Sequence, residues 1–328
     1  MTLARPLVSV VAANFNGARF LAAAIRSVLE QTLEDLELII VDDASTDQSL
    51  ELIRRATAGD PRVRVIVQEC NGGPAAARNR GLEHARGRWI AVFDTDDLMA
   101  DDRLERLVAR GEEDGADLVV DNLMVFDERG LAAARPFLPL RKHLAPRWIT
   151  LADYVAASRM YARAPSFGYL KPLFRAERLG PLRYREILRI GEDYDLVLRM
   201  LLAGAAMRLE PLPLYRYRKH GGSISQVMER DHILAMMAAD GSLAQEFSRH
   251  DAAVLHQQRA RTRSLERALV YDRIIGQLKA RKPAPALGLA LAKPGVWPLL
   301  TMPIEARLKR LGAWFKTRTG QVPGPALA

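Results

Sequence analysis

The sequence of 328 residues predicts an α/β fold, a mostly parallel sheet flanked by helices. Three observations carry that expectation. Short apolar runs rich in Val and Ile alternate with helix-period segments four times before Asp94, the pattern of strand, crossover and parallel strand. Each apolar run ends in polar or acidic residues, which places those residues on one rim of the sheet. Apolar residues make up 49% of the chain, ample for a core.

Residues 7–12 (LVSVVA) read as the first buried strand and run into a polar turn at 14–17. A helix follows, with Phe20, Leu21, Ala24, Ile25, Val28 and Leu29 at three- and four-residue spacing. Residues 36–41 (LELIIV) form the second strand, ending in Asp42 and Asp43. The next helix carries Leu50 and Ile53 and stops at Gly59-Asp60-Pro61. Residues 63–67 are the third strand, followed by Asn71-Gly72-Gly73-Pro74 and a helix over 75–85. Residues 90–93 are the fourth strand, and beyond them come a helix over 102–113 and a strand over 118–125. The Pro- and Arg-rich stretch 127–163 suits irregular loops over the rim. Residues 166–175 (SFGYLKPLFR) read as an edge strand with exposed charges. Gly191 opens a helix through Leu202 whose first turn holds Glu192, Asp193 and Asp195, and residues 212–217 return as a strand leading to Arg218, Lys219 and His220.

Chemistry gathers at the strand ends. Asp94, Asp96 and Asp97 fall where the fourth strand leaves the sheet, and ligands of open α/β sheets sit outside the carboxyl ends of strands. Three acids this close repel one another unless a cation lies between them, and Mg²⁺ or Mn²⁺ prefers carboxylate oxygens. Such an ion could hold a diphosphate. Solvated turn residues capping the helix near Asp101 are the alternative. G-x-G-x-x-G is absent after the first strand, as is a P-loop Lys, so a nucleotide would be held differently. A carboxylate fixed at a helix start, as at Asp193, is well placed for a general base. His220 could donate to a phosphate or ligate a metal.

Five stretches, VSVVAANFNG, LIIVDDASTD, NGGPAAARNRGLEHARGRWIAVFDTDD, GEDYDLVLRMLLAG and YRYRKHGGSIS, occur in the order found in the inverting family 2 glycosyltransferases of the GT-A fold, which this chain resembles. GYLKPLFR is similar in wording to bacterial enzymes that extend succinoglycan-type exopolysaccharide. The resemblance implies transfer of a sugar from a nucleotide-sugar donor, a UDP-sugar such as UDP-glucose, to a saccharide acceptor, with an α-linked donor giving a β-linkage; a lipid-linked acceptor would suit the basic tail. It assigns Ala13, Phe15 and Asn16 to the nucleotide wall, Asp43 to the uracil ring and Asp42 to the support of that loop. Arg78 and Asn79 would lie near the diphosphate or donor sugar. Asp94 and Asp96 would bind Mg²⁺ or Mn²⁺ with Asp97 alongside, and His220 would complete the shell. Arg218 and Lys219 would stabilise the leaving diphosphate. Asp193 would be the general base, with Glu192 as second choice.

The charge is uneven. The formal net charge is +9, yet from Asp251 onward 14 Lys and Arg face 4 Asp and Glu, so the whole excess is C-terminal. The expected division is a catalytic domain over 1–225 and a helical, basic extension over 226–328. Helices are expected over 227–247 and 252–278, the second carrying Arg259, Arg261, Arg263 and Arg267. Residues 284–304 are apolar but broken by prolines, which excludes a spanning helix and suits an interfacial segment on anionic lipid, as does the basic and aromatic stretch with Trp314 and Phe315; a helical pair packed on the catalytic domain with a solvated basic face is the alternative. Residues 319–328 read as disordered. One cysteine, Cys70, fits a reducing compartment, and the N-terminus lacks a signal-peptide pattern. The expected place is therefore cytoplasmic, peripheral at the inner membrane, with no nucleic acid as partner. A nucleotidylyltransferase and a noncatalytic membrane- or nucleic-acid-binding protein are the alternatives.

Overall fold

The computed structural model describes residues 5–128, 130–140, 145–162, 164–221 and 228–301. The chain divides into two compact units, Met1–Arg261 and Thr262–Ala328. The division falls within a long helix, whereas the expected boundary at 225/226 lies outside the described residues, as do 302–328 and the Gly/Ser stretch at 222–225.

The first unit is built on a ten-stranded mixed sheet: β1 (Val8–Asn14), β2 (Leu36–Asp42), β3 (Val63–Val67), β4 (Trp89–Asp94), β5 (Leu98–Met99), β6 (Leu118–Phe126), β7 (Arg135–Pro136), β8 (Arg147–Ile149), β9 (Leu173–Arg175) and β10 (Met207–Arg218). The order is β3-β2-β1-β4-β9-β6-β10-β5, with β7 on β6 and β8 on β10. β1, β2 and β4 pair in parallel and are enclosed on both faces, which is why they read as unbroken Val, Ile and Leu runs. Helices α1 (Ala18–Leu29), α2 (Ser49–Thr57), α3 (Pro74–His84) and α4 (Arg103–Asp114) follow β1, β2, β3 and β5. α3 sits close on β1 because residue 81 is glycine: a Cβ there would lie 2.4 Å from Val11 Cγ1.

Three expectations are corrected. Residues 166–175 are not an exposed edge: β9 lies inside the sheet, antiparallel to both β4 and β6. Because β9 runs against β4, its start lies on the rim where β4 ends. The pairing of Leu173 with Ala91 therefore carries Lys171 to the level of Phe93, beside Asp94. The stretch 127–163 is not wholly irregular, since it holds β7, β8 and α5 (Leu151–Ala157), the last opened by a Thr150/Asp153 capping box. The helix expected over 227–247 is two, α8 (Arg230–Ser242) and α9 (Ala244–Phe247).

α6 (Ala176–Leu179) leads toward α7 (Glu192–Leu202). Gly191 caps α7 with φ +87°, a left-handed backbone that favours glycine, and it packs beside Met236 of α8. α10 (Ala252–Lys279) begins in this unit. Its arginine run is not one basic face. Arg259 and Arg263 are exposed, but Arg261 is buried, paired with Asp240 at 2.8 Å and stacked 3.8 Å from the Tyr194 ring of α7.

The second unit continues α10 and adds α11 (Pro283–Ala292) and α12 (Trp297–Leu300). Its core joins Ile274, Ala286, Ala290 and Val296.

Candidate active site

β4 delivers Asp94 to the rim, and the turn after it delivers Asp96 and Asp97, with ligand atoms of all three within 4.8 Å of one another. Asp97 is enclosed. Its Oδ1 accepts from the Arg218 backbone N–H at 2.7 Å, while its buried Oδ2 has no hydrogen-bond partner among the described residues. Burial first, then the charges of Asp96 and Asp94, push the Asp97 carboxyl well above the usual carboxylate range. Asp96 Oδ2 lies 2.8 Å from His220 Nε2, and the His220 ring packs on Phe20. The Arg218 guanidinium lies over Phe20 and Phe126, at 4.6 and 4.5 Å, and donates from Nε to the Asp96 carbonyl. Lys219 beside it is exposed.

Asp94 belongs at the same time to a second cluster. Arg78 Nη2 and Lys171 Nζ are each 2.7 Å from one of its oxygens. The same two cations reach the first turn of α7: Arg78 Nη1 is 2.7 Å from Glu192 and 3.4 Å from Asp193, and Lys171 Nζ is 2.8 Å from Asp193. Three carboxylates thus share two buried cations, and the positive end of α7 favours the two acids it carries. Burial would raise the Asp94 carboxyl, but Lys171 and Arg78 outweigh it and hold Asp94 well below the usual range. Burial would likewise discharge Lys171, but Asp193 and Asp94 outweigh it and raise its affinity for the proton. Glu192 is pushed up, by burial and then by the charge of Asp193.

The β1 and β2 ends form the adjoining wall. Asn14 Nδ2 donates to Asp42 at 2.7 Å, Ser45 bonds the same carboxylate, and Thr95 donates to Asn14 Oδ1, so the acid turn and the Asp42 loop are pinned together. Ala13 is half-buried and Phe15 is 51% exposed. Asn16 sits at φ +50° and accepts from the backbone N–H of Thr46. The buried Asp43 carboxylate is already engaged: it accepts from the N–H groups of Gly72 and Gly73 and from Gln68. It therefore braces the start of α3. The Asn79 amide is also committed, to the Tyr184 backbone and Glu186, and so holds the segment before α7.

The structure thus gathers Arg78, Asp94, Asp96, Asp97, Glu192, Asp193, Arg218 and His220, and gives Asn79 and Asp43 bracing contacts. Sequence reasoning missed Lys171, which is only 6% exposed. Its one signal is a lone cation in an otherwise apolar run, Leu170-Lys171-Pro172-Leu173-Phe174. The donor set fits a hard divalent ion: carboxylate oxygens converge, and one of them is buried without a partner.

Comparison with known proteins agrees with this architecture. The profile of Glycosyl transferase family 2 matches residues 9–167. The succinoglycan biosynthesis protein ExoO of Rhizobium meliloti (strain 1021) is 40% identical over 312 residues, 94% of this chain and 88% of that protein. The putative teichuronic acid biosynthesis glycosyltransferase TuaG of Bacillus subtilis (strain 168) is 41% identical over 227 residues, 69% of this chain and 84% of the relative. The chain belongs to glycosyl transferase family 2. Its fold is GT-A: the crystal structure of S. aureus TarS 1-349 in complex with UDP-GlcNAc and the solved structure of the Pyrobaculum calidifontis mannosyltransferase PcManGT in complex with GDP-Man and Mn²⁺ align with TM-scores of 0.61 and 0.54. The first is 20% identical and covers 88% of this chain and 78% of its own, while the second is 21% identical and covers 94% and 83%. Family membership sets aside the nucleotidylyltransferase.

Proposed function

We propose that the chain is an inverting, metal-dependent transferase. It moves a sugar from a UDP-sugar to a lipid-linked saccharide during exopolysaccharide synthesis, at the cytoplasmic face of the inner membrane. The observation that carries this reading is the single ion network joining Asp94, at the acid turn, to Asp193, at the start of α7. It supports a reading in which the base and the diphosphate lie on two sides of one centre. Likeness to ExoO, a succinoglycan biosynthesis protein by name, supports the polysaccharide role.

The nucleoside lies along Ala13, Phe15, Asn16 and Asp42, with Asp43 recognising uracil through a carboxylate that also braces the loop. Asp96 and Asp97 would hold Mg²⁺ or Mn²⁺, with Asp94 and His220 beside them, and the ion would supply neutralisation of the charge that gathers on the diphosphate. Asp193 takes the proton of the acceptor hydroxyl while the hydroxyl oxygen bonds to the anomeric carbon. The bond from that carbon to the diphosphate breaks, and its electron pair leaves on UDP beside Arg218 and Lys219. A base facing the leaving group across the sugar gives one displacement and inverted configuration.

A panel of UDP-, GDP- and dTDP-sugars with Mn²⁺ tests this reading by melting temperature and nucleotide release. A UDP-sugar at about a hundred times its dissociation constant is expected to raise the melting temperature by about 5–10 °C and to release UDP when acceptor lipid is supplied. No response to any donor would refute it. Asp97→Asn is expected to remove the Mn²⁺-dependent part of that shift; a shift equal to wild type would move the ion elsewhere.

The second unit supplies the membrane contact. Ala286 and Ala290 of α11 face the core, while Leu287 and Leu291 are exposed, as are Leu278 and Trp297. Arg273, Lys279, Arg281, Lys282 and Lys293 share this stretch of sequence with them, with no Asp or Glu between 273 and 301. No helix among the described residues is long and apolar enough to cross a membrane. Exposed leucines and a tryptophan among cations suit a segment lying on anionic lipid. Vesicles with a third anionic lipid are expected to carry the protein in flotation, and neutral vesicles are not. Leu287→Ser with Leu291→Ser is expected to abolish flotation, and unchanged flotation would place the contact elsewhere.

A further inference from the structure

We propose that Lys171 is a positioning residue for transfer: its ammonium ties the Asp193 carboxylate to Asp94 and so sets the base against the donor. This rests on the reading of Asp193 as base given above. Lys171 Nζ stands 2.7 Å from Asp94 Oδ2 and 2.8 Å from Asp193 Oδ2, so those oxygens are separated by no more than the two contacts laid end to end. The donor half and the acceptor half of the site therefore meet at this one nitrogen.

Lys171 is itself built into the fold from both ends of its residue. Its carbonyl accepts from Arg103 Nη2 at 2.6 Å. Arg103 is fully buried, bonds the Asp121 carboxylate through Nε and Nη2, and packs 5.0 Å from the Tyr215 ring. Pro172 follows at once, and β9 then enters the sheet between β4 and β6. The stem thus leaves a backbone fixed on the sheet, and its ammonium is fixed in turn by Asp94 and Asp193.

The arrangement has a use during turnover. When Asp193 receives the acceptor proton it becomes neutral and Lys171 loses one of its two counter-charges. Asp94 remains, and negative charge is then growing on the departing diphosphate on the same side. The ammonium keeps Asp94 as its partner and does not leave its site. Arg78 makes a parallel bridge, but it pairs more closely with Glu192 than with Asp193, at 2.7 against 3.4 Å, so Lys171 is the cation that fixes the base.

The test compares wild type, Lys171→Met, Lys171→Arg and Asp193→Asn in the full chain, by kcat and KM for transfer and by direct binding of UDP with Mn²⁺. Lys171→Met keeps the stem and removes the charge. It is expected to lower kcat about a hundredfold, the scale of a misplaced catalytic group, while UDP–Mn²⁺ affinity stays within about threefold of wild type; Lys171→Arg is expected to recover at least about tenfold of the loss. An inactive Asp193→Asn beside a Lys171→Met with wild-type kcat would overturn the inference alone. Binding and turnover lost in parallel, or equal losses in Lys171→Arg and Lys171→Met, would also overturn it by assigning Lys171 to packing. An active Asp193→Asn would instead refute the reading of the base on which it rests.

Discussion

Replacing Asp193 with asparagine is expected to reduce sugar transfer by about a hundred- to ten-thousandfold, the usual contribution of a positioned general base, and to leave UDP and Mn²⁺ binding near wild type. The amide fills the same space and cannot take up the acceptor proton. Glu192→Gln separates the two neighbouring acids. Glu192 is bonded to Arg78 and Asp193 is bridged to Asp94, so the glutamate change is expected to act through Arg78 and to weaken donor binding more than kcat. Steady-state rates across a range of donor concentration check both. If Asp193→Asn transferred sugar as fast as wild type and Glu192→Gln did not, the base would be Glu192.

Cutting the chain after residue 225 is expected to abolish cooperative folding. The break looks natural in the sequence because the family-like stretches end there. In the structure, Leu243, Phe247 and Val254 join the main core, and Ile233 and Met236 are buried as well. Each is worth about 1.5–3 kcal/mol when enclosed, so their loss is on the order of 10 kcal/mol, comparable with the whole stability of a domain. The cut also removes Arg261 from the Tyr194 ring and Met236 from Gly191, both at the helix that carries Asp193. Circular dichroism on heating checks the expectation; a sharp melting transition in the 1–225 fragment would refute it.

The sheet and the acid turn were legible for a local reason. β1, β2, β4 and β6 are apolar runs bounded by Gly, Asn and Asp, and a buried parallel strand leaves that pattern with no help from distant residues. Lys171 was illegible because a lone charge in a short run is ordinarily solvated. Its burial depends on Asp94 and Asp193, which only the antiparallel placement of β9 brings to it. Arg261 looks like its neighbours in the sequence, yet it is buried while Arg259 and Arg263 are exposed, a difference set by packing against Asp240 and Tyr194. α5 does carry a local signal, the Thr150-Leu151-Ala152-Asp153 capping box, set among prolines and arginines that favour loops. Asp43 and Asn79 have a second duty that the family-like stretches do not reveal: their carboxylate and amide brace the loops around the site.

The most direct measurement is a crystal structure of the full chain with Mn²⁺ and a UDP-sugar that cannot be transferred. The expected result is an ion on Asp97 Oδ2 with the Asp193 carboxylate facing the anomeric carbon from the side opposite the diphosphate. An ion bound away from Asp96 and Asp97, or a sugar whose anomeric carbon is turned from Asp193, would contradict it.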